Sequence, residues 1–307
     1  MMYKLDHILI CLDLSDMDDS LIRYGNFLVE KFNPESVTFL HVLRSYEIPP
    51  EMISAFPHLD QPVSEIVKEE LQEKIETLFN GKNDTQTNIK VLEGSTTDNI
   101  VRYARENNIT FTLMGKKVGY EGRGGIVRKV ISIIPSSVLL ISETTQPRIE
   151  HVLVRMDFSQ MSALALKMAL RLQELTGARI SCHHAYKLPL KYFPVSSPEN
   201  DRKLMDYIQK HGRKEYHKFM KKQELDPGEI PFTTALDPEN DEAHILYKQA
   251  LSTGADMIII GSKIKSELAD IIIDSTSEKL ASAEKNLPVL IIKDRKQTIG
   301  FLKALFK

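Results

Sequence analysis

The sequence predicts an α/β protein: two tandem, open, parallel five-stranded α/β domains. Three observations carry that prediction. Short apolar, β-branched runs alternate with segments of helical period, the pattern of βαβ units on a parallel sheet. The order of these segments occurs twice at a nearly constant offset: Asp13 and Asp157 are 144 residues apart, Val37 and Ile180 143, Gly115 and Gly261 146. Each copy closes with a strand ending in glycine, a loop, a helix and a last apolar strand. A repeat of this length is a duplicated domain, far longer than a solenoid unit.

In the first copy, His7–Leu12 (HILICL) reads as a buried parallel strand, with Asp13 and Ser15 just beyond its carboxyl end. Ser20–Phe32 has helical spacing, Val37–Leu43 is the second strand, and a loop with Pro49, Pro50, Pro57 and Pro62 follows. Ser64–Phe79 is an amphipathic helix, with Ile66, Val67, Leu71, Ile75 and Leu78 on its apolar side. Thr87–Glu93 is the third strand, Thr97–Asn107 a helix, and Phe111–Met114 the fourth strand. The stretch from Gly115 carries Gly119, Gly122, Gly124 and Gly125 with Lys116, Lys117 and Arg123. A helix begins near Ile126, and Val138–Ile141 is the fifth strand. Glycines let backbone N–H groups turn toward a ligand, and a helix N-terminus favours an anion, so this loop is a candidate phosphate cradle. Glycines after such a strand also serve simply to make a tight turn.

The second copy follows the same order. His151–Val154 is a strand, with Asp157 and Ser159 beyond it; Ala163–Leu175 is a helix and Ile180–Ala185 a strand. A loop with Pro189, Pro194 and Pro198 precedes the long helix Leu204–Gln223. Phe232–Leu236 is a strand, Ala243–Ser252 a helix and Met257–Gly261 a strand. A longer loop then leads to a helix around Ser277–Ala283 and the strand in Pro288–Lys293. Asp270–Asp274 (DIIID) within that loop is expected to pack down on the domain.

Composition narrows the class. With 307 residues, 42% hydrophobic, 27% charged and net charge −2, the chain has two domains' worth of core and no basic excess for nucleic acid. Its two cysteines, Cys11 and Cys182, fall in different halves, which argues against a disulfide framework. No apolar run reaches the ~18 residues of a membrane span, and the N-terminal apolar run is too short for a secretory signal. A cytoplasmic location is expected.

The first-strand Asp, the second-strand pattern and the closing G…GG…P…VLLI stretch together resemble the universal stress protein family, in a tandem two-domain form covering about His7 to Lys293. The resemblance implies a Rossmann-like, adenine-nucleotide α-hydrolase-like fold. It implies ATP or AMP as ligand, with magnesium accompanying ATP. In that family the acidic residue after the first strand lies near adenine and ribose, which assigns Asp13 and Asp157. Val42 and Ala185 would line the adenine pocket from the second strand. The family's signature is a Gly, two residues, a Gly, nine residues, then Gly and Ser or Thr. Its positions fall on Gly115, Gly124 and Gly125 in the first half and on Gly261, Ser262, Ser275 and Thr276 in the second, and the loop's own Lys116, Gly119 and Gly122 join the first-half cradle as candidate phosphate contacts.

Both copies depart from the signature. Val118 stands at the second Gly with Gly119 one residue late, and Gly124–Gly125–Ile126 lack the hydroxyl. In the second half Ile264 replaces the second Gly and Asp274 the third, and a carboxylate aimed at a phosphate repels it. The first half therefore keeps the better cradle. The expected function is a stress-response or regulatory protein sensing an adenine nucleotide through the first-half loop. The alternative is a protein-interaction scaffold with degenerate sites in both halves.

Other constellations have plainer readings. His183 and His184 are adjacent on a strand and face opposite sides, too few on either for a zinc site, and His41 lies at the matching place. His211 and His217 with Lys210, Lys214, Lys218, Lys221 and Lys222 form a solvated basic helix face. Asp13 and Asp157 would either hold magnesium with a phosphate or cap the following turn, with Ser15 and Ser159 as capping partners. No P-loop, Gly-x-Gly-x-x-Gly or nucleophile elbow is present, so ATP hydrolysis is expected to be slow at most. The domains are taken as 1–146 and 147–295, with 296–307 as an apolar and basic tail expected to dock on the domain or on a partner subunit. The last strands of the two domains are expected to pair in an internal pseudo-dimer, with a homodimer of chains also allowed.

Overall fold

The structure, a computed structural model, describes residues 5–44, 62–82, 84–116, 125–187, 198–262, 264–267, 270–273, 275–282 and 286–294. It divides into two compact units, one built mainly on Lys4–Arg148 and the other on Ile149–Leu280 with Leu287–Lys293.

In the first unit the strands are β1 (His7–Leu12), β2 (Ser36–Leu43), β3 (Gln86–Glu93), β4 (Phe111–Gly115) and β5 (Ser137–Ile141). They pair in the order β3-β2-β1-β4-β5, all parallel. The near-continuous apolar runs are the strands buried on both faces; in β1, Ile8, Leu9 and Ile10 have no exposed surface. Helices α1 (Met17–Phe32) and α2 (Val63–Leu78) pack together on one face, and α3 (Thr96–Glu106) and α4 (Gly125–Ile133) on the other. Phe39 of β2 meets Phe79, just past α2, edge to face at 5.1 Å. The partly exposed β3 takes the outer position.

The second unit repeats the plan with β6 (His151–Arg155), β7 (Arg179–Tyr186), β8 (Phe232–Leu236), β9 (Met257–Gly261) and, after a hairpin, β12 (Val289–Ile292). The order is β12-β9-β6-β7-β8, again all parallel. Its helices are α5 (Gln160–Thr176), α6 (Pro198–Lys222), α7 (Glu242–Thr253) and α8 (Ser275–Ser282).

Three departures from the sequence reading have a physical reason, beside smaller shifts such as α1 starting at Met17 and not Ser20. Helix α5 starts at Gln160, ahead of the expected Ala163, because Ser159 and Ser162 form a reciprocal capping box. Helix α6 begins at Pro198, a residue expected in the loop; proline's fixed φ suits the first helical turn. The β9–α8 connection was expected to be a loop. It contains an antiparallel hairpin of β10 (Ile264–Glu267) and β11 (Asp270–Ile273), in which the β-branched run Ile271–Ile273 pairs with residues 264–266.

Candidate functional site

Strand order places a topological switch between β1 and β4, where the chain leaves the sheet centre in opposite directions. Open α/β sheets bind ligands in the crevice at the carboxyl ends of such strands. The sequence-predicted residues Asp13, Gly115 and Lys116 lie just there, with Val42 at the end of neighbouring β2. The equivalent switch lies between β6 and β9, with Asp157, Gly261, Ser262 and Ala185 in the corresponding places.

Each Asp sits in a sharp corner between its first strand and helix. Leu14 (φ 62°) and Phe158 (φ 58°) both take the left-handed conformation that makes the corner. Asp13 accepts from the backbone N–H of Ser15 at 3.2 Å and from its hydroxyl. Beneath it the buried Asp18 carboxylate accepts the N–H groups of Asp13 and Leu14, both at 2.9 Å. Burial raises the Asp18 carboxyl against the opposing pull of those backbone bonds. In the second domain Ser162 replaces Asp18. Asp157 accepts from the Ser159 N–H at 3.0 Å, from the Ser159 hydroxyl at 2.5 Å and from the Ser162 hydroxyl. His41 and His184 are true counterparts: each uses Nδ1 to bond the carbonyl of the residue before its corner Asp, Leu12 at 3.0 Å and Met156 at 2.5 Å.

The strand-end glycines have a packing reason. A Cβ on Gly115 would lie 2.5 Å from the Met17 side chain in α1, and one on Gly261 only 2.4 Å from the Met161 carbonyl oxygen in α5. Lys116 and Ser262 extend the ladder, their N–H groups donating to Ile141 at 2.8 Å and Ile292 at 2.9 Å. Both are 4% exposed, so Lys116 is no surface cation beside the crevice. Gly125 opens α4, and among the described residues no atom lies within 4 Å of the place a Cβ would take. Gly119, Gly122 and Gly124 lie outside the described residues, as does the 296–307 tail. Ser275 is the first residue of α8, followed by the buried Thr276.

The two crevices differ most in the residues that sequence reading passed over. In the first domain one row across the sheet reads Cys11, Leu40 and Lys90. Burial pushes the Cys11 thiol up to about 12, so it is a neutral wall. The corresponding row in the second domain is Arg155, His183 and Thr233. The Arg155 guanidinium forks onto the Glu242 carboxylate at 2.6 and 2.8 Å, with side chains 11% and 4% exposed. The Thr276 hydroxyl donates to the same carboxylate at 3.0 Å, and Lys187 Nζ lies 3.7 Å away. Burial alone would raise the Glu242 carboxyl. The Arg155 bonds and charge, Thr276 and Lys187 outweigh it and hold the group below its ordinary range. On the opposite sheet face Phe158 packs against His184 at 4.9 Å, Phe219 at 6.0 Å and Phe232 at 6.2 Å, whereas its counterpart Leu14 is 39% exposed. Arg155 was legible as a cation ending an apolar strand, but Glu242 looks like any acid in a first helical turn.

A shallow groove of about 530 Å³ beside α2 and β3 lies at the sheet edge, away from the switch. Among the described residues no cluster of three His, Cys, Asp or Glu could hold a metal ion, and no helix is long and apolar enough to cross a membrane.

The universal stress protein family model matches the chain twice, over residues 4–142 and 148–293. Among solved structures, a universal stress protein from Archaeoglobus fulgidus DSM 4304 is similar at TM-score 0.64 and 17% identity, covering 95% of this chain and 99% of that one. A protein of unknown function from Pseudomonas aeruginosa PAO1 is similar at TM-score 0.64 and 15% identity, covering 98% and 96%. A putative universal stress protein from Pseudomonas aeruginosa UCBPP-PA14 reaches 0.62 at 14% identity, covering 99% and 98%. At these identities the likeness shows the fold. No curated protein sequence matches the chain.

Proposed function

The chain belongs to the universal stress protein family, matched once by each half, and on that footing we propose that it is a stress-response regulatory protein that takes an adenine nucleotide in the crevice of its first domain. The observation that carries this reading is the contrast at the two switch points. The first crevice has a neutral wall of Cys11 and Val42, an exposed corner with Asp13 at its rim, and the exposed Gly125 at the start of α4. Asp13 would accept a ribose hydroxyl or bind magnesium with a phosphate, and the α4 N-terminus would face the phosphates. The second crevice is filled by an ion pair on one face and an aromatic cluster on the other. That filling favours, for the second domain, the scaffold reading of a folded module without nucleotide.

The test is calorimetric titration of ATP and AMP, with magnesium, into the wild-type chain and Asp13→Ala. Because Asp13 is exposed and bonds the adjacent Ser15 turn at the surface, the variant is expected to fold normally and to bind about tenfold or more weaker, the loss of one charge-assisted hydrogen bond. Equal binding by both would move the site elsewhere, and absent binding would leave the scaffold reading for the whole chain.

A further inference from the structure

The row Arg155–His183–Thr233 is a set of hydrogen-bonding side chains on one sheet face, where the first domain has Cys11–Leu40–Lys90. Strand neighbours in parallel register point the same way, so Arg155 and His183 stand side by side under α7. Glu242 reaches into this space from the first turn of α7, and Thr276 from the first turn of α8. The Glu242 carboxylate there meets a bidentate guanidinium, a hydroxyl and an ammonium, a donor set suited to a phosphate or carboxylate group. His183 is 1% exposed; its Nδ1 pairs with Thr233 at 2.8 Å, while its buried Nε2 has no partner among the described residues.

The geometry points to an oxyanion site in the second domain that is occupied in cis by Glu242: the carboxylate fills the place of a ligand's phosphate or carboxylate group between Arg155, Lys187 and Thr276, and keeps exogenous anions out. This inference stands on the second domain's own side chains and is independent of nucleotide binding by the first. The site takes a small oxyanion only when the resident carboxylate is removed or withdrawn, so in the wild-type chain the second crevice is closed to exogenous anions.

Chemical rescue tests it. Removing Glu242 leaves Arg155 buried without its partner, a large loss of stability, and an added anion of the right size would replace the carboxylate. Thermal unfolding is measured for wild type, Glu242→Ala and the isosteric Glu242→Gln in acetate, formate or inorganic phosphate, against chloride at equal ionic strength. The expected result is a Tm rise of about 4 °C for Glu242→Ala at roughly 0.1 M anion. Wild type should show none, and Glu242→Gln a smaller rise. Arg155→Met in the Glu242→Ala background should abolish the response. A Glu242→Ala chain that unfolds in chloride but folds in acetate supports the site equally. The inference is overturned if neither Glu242 variant gains more than wild type, or if wild type takes two ATP per chain. A wild type that takes no ATP while Glu242→Ala is still rescued would count against the nucleotide reading alone.

Discussion

At the scale of single residues, burial decides which groups matter. His183 has its pKa lowered to about 4 by burial, with the neighbouring His184 charge adding to the effect and Glu242 opposing it. Its folded value lies below the free 6.5, so the imidazole costs nothing above pH 6.5. As pH falls from there toward about 4, the unfolded chain takes up a proton that the folded one refuses, and stability drops. Urea unfolding should therefore lose about 2 kcal/mol from this group between pH 7 and pH 5, and His183→Gln should flatten that slope. The Glu242 carboxyl, held below its ordinary value, contributes stability in full above about pH 4.5, lost as pH falls through its folded value. Arg155→Met or Glu242→Leu alone should cost about 3–5 kcal/mol, and the double change should recover most of it, since an apolar pair needs no charge compensation. A double-mutant cycle by chemical denaturation measures this directly. The corner aspartates were legible from sequence because they follow strand one in both copies. Their partners Asp18 and Ser162 were not, because a buried acid and a buried hydroxyl in a first helical turn look like ordinary caps.

At the scale of elements, two of the glycines predicted for phosphate contact, Gly115 and Gly261, have a second role, and the repeat lets their two environments be compared. Gly115 would meet the flexible Met17 side chain, whereas Gly261 would meet the backbone of Met161. The Met17 contact is at Cγ of a buried side chain, which must repack, and the Met161 backbone in a helix can shift still less. Gly261→Ala should cost about 3 kcal/mol and Gly115→Ala about 1–2 kcal/mol, read from urea midpoints of the full chain. Ser159→Ala should cost about 1 kcal/mol by removing the α5 capping box, while α1, whose N-cap Asp16 makes no side-chain cap bond, has no such dependence. Strands and helices were legible because the apolar runs are long and the second copy restates the first. The β10–β11 hairpin was not, since it lies where the constant offset between the two copies breaks down and its Ile271–Ile273 run is too short to separate a strand from a packed loop by pattern alone.

At the scale of the whole molecule, duplication of one open α/β domain gives two switch points that began with the same parts and now differ. The sequence departures from the family signature already ranked the first half above the second. The structure adds a difference that the signature does not contain: among the described residues, the Arg155–Glu242 pair and the Phe158 cluster occur in the second domain, where the first has Cys11 and Leu14. Spacing could not reveal that pair, because its partners are 87 residues apart and meet only when α7 folds back over the sheet. The most direct test of the claim that one crevice binds is the ATP stoichiometry of the full chain with magnesium, measured by calorimetry beside Asp13→Ala. The account predicts one ATP per wild-type chain and at least a tenfold weaker affinity in the variant. Two ATP per chain, or a single site untouched by Asp13→Ala, would contradict it.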